Sequence, residues 1–366
     1  MTTQHFTPSR LTLARMRRGL SKIELASLIG VTPRMVTAYE GGAGSPSAET
    51  LAAIAEALAF PEEFFSAPAI QPIDPRGATF RSLSSMTSGQ RDAVLGAGTI
   101  AIDVARHLAA RFTLPPASLP DYRGHDPEVA ALELRAQWGF GARSISNVVH
   151  QLEAHGVRVF SLSQECADTV DGFSVWSDGI PFIFLNPRKS GERGRFDASH
   201  ELGHLLLHQH GEPRGREAEH EADRFASAFL MPRETVVAMA PRLPSIESIL
   251  ALKKSWGVST GALVRRLFDL QLISDWQYRS LCIEIARRGW RLAEPEGMPR
   301  ETSQVLRKVF AAIRAKGPTA RAQFAKELSI SAGELDALVN GLVPVVVPGG
   351  SGTSTMGKGP GKLKLV

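Results

Sequence analysis

The stretch of sequence that decides the fold runs from 196 to 208 and reads FDASHELGHLLLH. His200 and His204 are four residues apart, so on a helix they lie one turn above each other on the same face. Two imidazoles at that spacing can share a tetrahedral zinc ion. Glu201 lies beside them as a non-ligand, where a carboxylate can take a proton from water and later deliver it to the leaving group. The pattern therefore predicts a zinc-dependent hydrolase of peptide bonds, with Glu201 as its catalytic residue.

The third zinc ligand is expected on the next helix, between residues 217 and 232, where apolar residues recur at helical spacing. Residues 219–223 read EHEAD, which has the Glu-x-x-Ala/Ser-Asp form. In thermolysin-like enzymes the glutamate of this form supplies the third zinc ligand, a carboxylate. We therefore predict Glu219 as the third ligand. Asp223 lies one turn further on, where an aspartate can accept the free ring N–H of a ligand histidine and fix its tautomer.

His210 is a competing candidate for the third ligand, because it stands ten residues after His200, the spacing of the metzincin motif His-Glu-x-x-His-x-x-Gly-x-x-His. Leu207 occupies the glycine position of that motif. A leucine there lets the helix continue, so we interpret His208 and His210 as polar residues at the helix end.

His220 and Glu221 are further candidates, since both neighbour Glu219 in the sequence. Glu221 projects about 200° away from Glu219 around the helix, so only one of the two carboxylates can face the metal. We choose Glu219. The alternative for Glu219 and Asp223 is that they belong to a solvated, charged helix face without a metal.

The N-terminal segment from 9 to 65 contains four or five short amphipathic helices, punctuated by Gly19, Gly30 and Gly41. Residues 20–42 read LSKIELASLIGVTPRMVTAYEGG, which predicts a helix, a tight Gly-Val turn and a second helix. This is the spacing of a helix-turn-helix, in which the second helix enters the major groove of DNA.

Charge supports a DNA-binding surface on this segment, because residues 1–40 carry six basic side chains against two acidic ones. Side chains near the start of the second helix are expected to meet base edges, and basic side chains nearby to meet phosphates. One helix-turn-helix covers only a few base pairs, so we expect a homodimer on a double-stranded operator. The predicted DNA-binding residues are Lys22, Thr32, Arg34, Thr37, Arg17 and Arg18.

Composition describes an ordinary globular protein with room for two or three domains, since 43% of its 366 residues are apolar and 22% are charged. No run of about 18 uncharged apolar residues occurs, and the first residues lack the pattern of a signal peptide. The only cysteines are Cys166 and Cys282, too few for a disulfide framework. We therefore expect a cytoplasmic protein with no membrane partner.

Three short strands are predicted ahead of the metal helices, at 156–162, 172–176 and 181–185. The last two are expected to form a hairpin through a turn at 177–180. A small sheet beside the metal helices follows from this order. An edge strand next to the helix of His200 could pair with the extended backbone of a substrate.

Two family resemblances rest on these motifs. Residues 19–42, followed by SPSAETL at 45–51, resemble the XRE repressor domain of the Cro/CI type. The segment from about 171 to 232, with HELGH and Glu-x-x-Ala-Asp-x-Phe-Ala before Leu-Met-Pro, resembles the ImmA/IrrE metallopeptidase family. To about residue 310 the chain is similar to fusions of the two. The resemblance implies the zinc ligands and the catalytic glutamate named above, and some members cleave a helix-turn-helix repressor.

We therefore expect a mainly α, multidomain fold, with a lambda-repressor-like domain, an α+β zincin-like domain with a small sheet, and a C-terminal helical region. The expected function is a DNA-binding transcriptional regulator whose zinc peptidase domain cleaves itself or a partner regulator. Two alternatives stay open, a non-proteolytic sensor of a ligand or protein and a toxin-antitoxin or phage-response component. The expected parts are a DNA-binding domain at 1–66, a linker at 67–82, a peptidase domain at 83–245, a helical region at 246–345 and a flexible tail at 346–366.

No residue that would stabilise the oxyanion of a tetrahedral intermediate can be assigned from the sequence. Thermolysin-like enzymes use a histidine or a tyrosine for this purpose. No tyrosine lies between Tyr122 and Tyr278, and the histidines offer no distinguishing context. Proteolytic activity is therefore the part of the expected function that most needs a test.

Overall fold

A computed structural model describes residues 5–75, 79–80, 86–163, 166–168, 170–208, 215–291, 293–317 and 319–344. The expected tail at 346–366 and the competing ligand His210 lie outside these ranges. Within them, every helix is too short or too polar to cross a bilayer.

The N-terminal domain consists of short helices, and capping residues in the sequence determine where several of them begin. Ser21 and Glu24 form a capping box at the start of α2. Thr32 accepts a hydrogen bond from the amide of Met35 and caps α3, where Pro33 occupies the first turn. The elements are α1 (Pro8–Arg17), α2 (Lys22–Leu28), α3 (Pro33–Glu40), α4 (Ala48–Leu58) and a 3₁₀ turn at Glu62–Ser66.

The long helix α5 (Ser88–Ala109) packs directly against α1. Glycine makes this close approach possible, because a Cβ at Gly96 would lie 2.9 Å from the backbone of Arg17. A Cβ at Gly89 would similarly lie 2.6 Å from the carbonyl oxygen of Gly19. The helix that leads into the expected peptidase domain therefore also forms a wall of the DNA-binding domain.

The small sheet has the strand order β1-β3-β4-β2 and contains the three predicted strands as β2 (Arg158–Ser161), β3 (Gly172–Ser177) and β4 (Ile180–Leu185). β3 and β4 form the predicted antiparallel hairpin, and β2 lies parallel to β4. Asp178 and Gly179 both have positive φ, as the tight turn of a two-residue hairpin requires.

The fourth strand, β1 (Thr79–Phe80), comes from the stretch that we expected to be only a linker. It pairs antiparallel with β3, with Thr79 opposite Ser174 and Phe80 opposite Phe173. β1 therefore covers the edge of β3 at these two positions. The same pairing shows that this edge accepts an extended chain through backbone hydrogen bonds.

The two metal helices are α8 (Gly191–Leu207) and α9 (Arg216–Leu230), which pack closely against each other. Gly203 permits this, since a Cβ there would lie 3.3 Å from the Cα of Ala222 and 3.0 Å from the ring of Phe225. The opposite side of α8 rests on β3 and β4. The motif helix is thus held between the sheet and α9.

The remaining helices surround this core, and the last of them returns to the N-terminal domain. Glu334 of α16 forms an ion pair with Arg17 of α1. The observed fold is mainly helical with one small sheet, as expected. These helices are α6 (Pro127–Gln137), α7 (Val148–Ala154), α10 (Arg233–Met239), α11 (Ile246–Lys253), α12 (Thr260–Asp269), α13 (Asp275–Arg287), α14 (Gln304–Arg314), α15 (Ala320–Glu327) and α16 (Ala332–Val339).

Candidate metal centre

The side chains of His200, His204 and Glu219 converge between α8 and α9. The two Nε2 atoms lie 3.1 Å apart. Glu219 places Oε2 at 3.4 Å from Nε2 of His200 and Oε1 at 3.5 Å from Nε2 of His204. Zinc–nitrogen bonds of about 2.0–2.1 Å in a tetrahedron separate neighbouring ligand atoms by about 3.3 Å. The three donor groups therefore have the spacing that one zinc ion would need.

Burial gives a second test of whether a metal fits. Both histidines are almost completely buried, and Oε2 of Glu219 is a buried oxygen that accepts no hydrogen bond in the part of the chain that the structure describes. An unsatisfied buried carboxylate oxygen is unfavourable unless a cation compensates it. The donor set of two imidazoles and one carboxylate is also one that binds zinc in hydrolases.

Asp223 lies where the sequence predicted it, with Oδ1 at 2.8 Å from Nδ1 of His200. The carboxylate accepts the Nδ1–H proton, which leaves the Nε2 lone pair of His200 directed at the convergence point. Glu219 and Asp223 are one helical turn apart on α9. This spacing directs Glu219 at the predicted metal position and Asp223 at the ring of His200, a predicted ligand.

His204 has a similar support, which the sequence interpretation missed. Its Nδ1 lies 2.9 Å from Nδ1 of His208, and Nε2 of His208 lies 2.8 Å from Oε2 of Glu221. His208 stands at the C-terminal end of α8, as predicted, but it is only 4% exposed and is therefore buried beside His204. Glu221 faces His208 and not the metal position. The available signal was that His208 repeats the four-residue spacing of His200 and His204.

Glu201 points from α8 toward the sheet, where Ser174 of β3 donates a hydrogen bond of 2.8 Å to Oε2. Gly172 lies next to this carboxylate, and a Cβ there would be in ordinary van der Waals contact with it, 3.4 Å from Oε1. Trp176 donates its indole N–H to the carbonyl of Leu205 and ties β3 to α8. The strand therefore orients the predicted catalytic residue beside the histidines.

The electrostatics of the centre favour a cation. Burial by itself lowers the pKa of His200, but the carboxylates of Asp223 and Glu219 outweigh it and raise that pKa to about 10. Burial lowers the pKa of His204, which faces the charged His200. Burial raises the pKa of Glu219, but the two imidazoles that face it outweigh burial and lower that pKa far below the usual range.

A cleft of about 540 Å³ adjoins the centre at Asp223. Asp197, one turn before His200 on α8, lines this cleft, and burial raises the pKa of its carboxyl to about 7, with the charges of Asp171 and Glu201 adding to the effect. His220, which the sequence offered as a competing ligand, lines the cleft instead of the metal position. Basic side chains face the same space from Lys189, Arg193, Arg224 and Arg265.

The predicted base-reading residues are accessible. Thr32, Arg34 and Thr37 are all exposed on α3. The side chain of Lys22 is 40% exposed, with Nζ at 3.4 Å from Glu40. All four side chains are therefore accessible to a partner.

Arg17 and Arg18 are placed differently from the sequence prediction. Arg17 is 2% exposed and forms a buried ion pair with Glu334. Arg18 donates from Nε to the carbonyl of Leu58 at 2.6 Å and from Nη1 to Glu334 at 3.2 Å. Arg17 is thus buried against α16, which corrects the prediction that it contacts phosphates, whereas the guanidinium of Arg18 is shared between the end of α4 and Glu334 of α16.

Comparison with known families finds two matching segments in the chain. Residues 11–65 match a family described as helix-turn-helix, and residues 152–268 match a family described as IrrE N-terminal-like domain. The second match runs past residue 245, where we expected the peptidase domain to end. No curated protein matches the chain. The chain is therefore a fusion of an XRE-type helix-turn-helix domain and an IrrE/ImmA-type domain of the metallopeptidase class.

Proposed function

We propose that this protein is a DNA-binding transcriptional regulator whose zinc-dependent peptidase domain cleaves a peptide bond, in itself or in a partner regulator, in response to a signal. One observation carries the proposal. His200, His204 and Glu219 present donor atoms 3.1–3.5 Å apart, and Ser174 orients the carboxylate of Glu201, the residue next to His200, through a hydrogen bond.

Each residue of the centre has a role in this proposal. His200, His204 and Glu219 would hold the zinc ion, which supplies Lewis acidity when bound. Glu201 would take a proton from the attacking water and deliver it to the departing amine nitrogen. Ser174 would keep the Glu201 carboxylate oriented through its hydrogen bond to Oε2.

The proposed DNA partner is a double-stranded operator, bound by a homodimer through Thr32, Arg34, Thr37 and Lys22. The exposure of these side chains supports the proposal. The basic side chain of Arg34 stands near the start of α3, where a recognition helix approaches base edges.

The decisive experiment uses the full chain with zinc added. Metal content is measured for the wild type and for Glu201→Gln, and fragments of the chain and of a proteome-derived peptide library are identified by mass spectrometry. Wild type should bind about one zinc ion and yield fragments, whereas Glu201→Gln should bind zinc and yield none. Glu217→Gln, on the exposed start of α9, removes the same charge and should leave cleavage intact.

The opposite result is equally informative. If Glu201→Gln keeps its metal and the transcription of target genes responds as in the wild type, the peptidase mechanism is wrong. The domain would then act as a non-proteolytic sensor, which is the main alternative function.

A further inference from the structure

The strand β1 occupies the sheet edge that could pair with the backbone of a substrate. It belongs to the segment between the 3₁₀ turn and α5, and it pairs antiparallel with β3. An extended peptide that joins a sheet edge makes the same backbone hydrogen bonds as a strand of the sheet. The chain therefore places part of its own linker where a substrate backbone would lie.

Ser174 of β3 connects this linker strand with the predicted catalytic residue. It stands opposite Thr79 in the register of β1 and β3. Its hydroxyl donates a hydrogen bond of 2.8 Å to Oε2 of Glu201. Opposite residues of an antiparallel pair have Cα atoms about 4.5–5.5 Å apart. Only one residue, Ser174, thus separates the backbone of the linker from the Glu201 carboxylate.

The segment that leads into β1 is anchored beside β3. The amide of Ile73 donates a hydrogen bond of 3.2 Å to Oγ1 of Thr99 on α5. The side chain of Ile73 and the ring of Phe173 meet at Gly98, where a Cβ would lie 2.7 Å from Cδ1 of Ile73 and 3.0 Å from the ring. Phe173 is also the residue opposite Phe80. The linker is therefore held against α5 and β3 before and at β1, which pre-orders it for this edge.

We propose that the peptidase cleaves this linker within its own chain, at or next to β1. The inference rests on the proposed function and selects the chain itself as the substrate. It does so because β1 already occupies the edge, so the backbone of a partner cannot pair at these positions while β1 is in place.

The reaction is the hydrolysis of one amide bond. Water adds to the carbonyl carbon, so that a C–O bond forms and the C–N bond breaks. Glu201 carries a proton from the water to the departing amine nitrogen. The products are a new carboxyl group on the helix-turn-helix fragment and a new amino group on the peptidase fragment.

This cut separates α1–α4 from the rest of the chain. α1 still packs against α5, and its Arg17 still pairs with Glu334. Without the linker, however, these contacts join two separate molecules. A short tether keeps two parts at an effective concentration of about millimolar. Its loss therefore lets the DNA-binding fragment leave at low protein concentration.

The zinc-loaded full chain tests the proposal through its own products, identified by mass spectrometry. The wild type should yield two fragments whose new ends lie at or within a few residues of Thr79–Phe80. The rate constant should stay the same when the protein concentration is varied, as expected for an intramolecular reaction. Thr79→Pro removes a backbone N–H from β1 and should slow the cut by about tenfold or more. Gln71→Pro, at an exposed linker position outside β1, should be cut like the wild type.

Hydrogen exchange of the metal-free protein gives a readout that does not depend on activity. Residues 172–177 should exchange faster in Thr79→Pro than in the wild type and in Gln71→Pro, because the edge of β3 loses its partner strand. The zinc-binding capacity should be the same in all three proteins.

The proposal is overturned if exchange at β3 is the same in all three proteins, if the cut appears equally in Glu201→Gln, or if its rate constant rises with protein concentration. Cleavage of the peptide library with an intact linker would also overturn it, while the proposed peptidase function would stand. Absence of any cleavage, in the chain and in the library, would refute both.

Discussion

Nδ1 of His204 lies 2.9 Å from Nδ1 of His208, whose other ring nitrogen lies 2.8 Å from Glu221. This pairing makes His208 an acceptor for the ring proton of a metal ligand, with Glu221 behind it. The arrangement parallels the one at His200, where Asp223 accepts the ring proton directly. Both histidine ligands are therefore oriented by partners from α8 and α9.

Replacing His208 with alanine should weaken zinc binding by about 10–100-fold, because the ring of His204 loses the partner that fixes its tautomer. Competition with a chromogenic chelator measures this affinity directly. His125→Gln, an exposed histidine after Tyr122, is the matched control and should bind zinc normally. Wild-type affinity in His208→Ala would show that the pairing does not support the metal.

The choice between two neighbouring glutamates can be tested by comparing Glu219→Gln with Glu221→Gln. The first removes a direct ligand and should reduce zinc affinity more than the second, which removes a partner of His208. Isothermal titration with zinc gives both affinities. The reverse order would assign the metal to Glu221 and contradict the ligand set that we propose.

Glu334→Gln should destabilise the protein by about 3–5 kcal/mol, since it removes the carboxylate that forms an ion pair with the buried guanidinium of Arg17. Urea unfolding of the wild type and the variant measures the change. Asp336→Asn breaks an exposed ion pair with Arg321 and should cost less than about 1 kcal/mol. Equal losses in the two variants would mean that the contact between α1 and α16 does not contribute in solution.

Arg34→Ala should weaken binding to a selected operator by about 1–3 kcal/mol if its side chain reads a base. Lys22→Ala should weaken binding to specific and random DNA equally. It should also reduce the slope of the logarithm of the binding constant against the logarithm of the salt concentration by about 1, as for loss of one phosphate contact. Fluorescence anisotropy with a duplex selected from random DNA, and with random DNA itself, separates the two effects. An equal loss on both duplexes for Arg34→Ala would make it a phosphate contact.

Asp197→Asn should stabilise the metal-free protein more at pH 8 than at pH 5. Burial raises the pKa of Asp197 to about 7, so its folded form holds a proton that the unfolded chain releases near its ordinary pKa. The free energy of unfolding of the wild type therefore falls as pH rises from the ordinary pKa of Asp197 toward 7. The loss is complete above pH 7 and amounts to at most about 4 kcal/mol. Thermal unfolding at the two pH values measures the difference, and a pH-independent effect would contradict the assignment.

Much of the fold and of the site could be predicted because the relevant signals are local. His200, Glu201 and His204 occupy one helix, whose period alone determines that both imidazoles share a face. The capping residue Thr32 and the turn at 178–179 are likewise set by neighbours a few residues away. Short-range geometry of this kind does not depend on the rest of the chain.

What the sequence determined by itself was which side chains share a face, and what only the tertiary structure decided was what each face meets. The sequence predicted Arg17 as a DNA contact, but α16 packs near α1 and its Glu334 forms an ion pair with Arg17. The sequence placed His208 at a helix end, and only the packing of α9 placed Glu221 beside its ring. The physical reason is that helical periodicity orients a side chain locally, whereas its burial and its charge partner depend on elements that are distant in the sequence and join it only when the core packs.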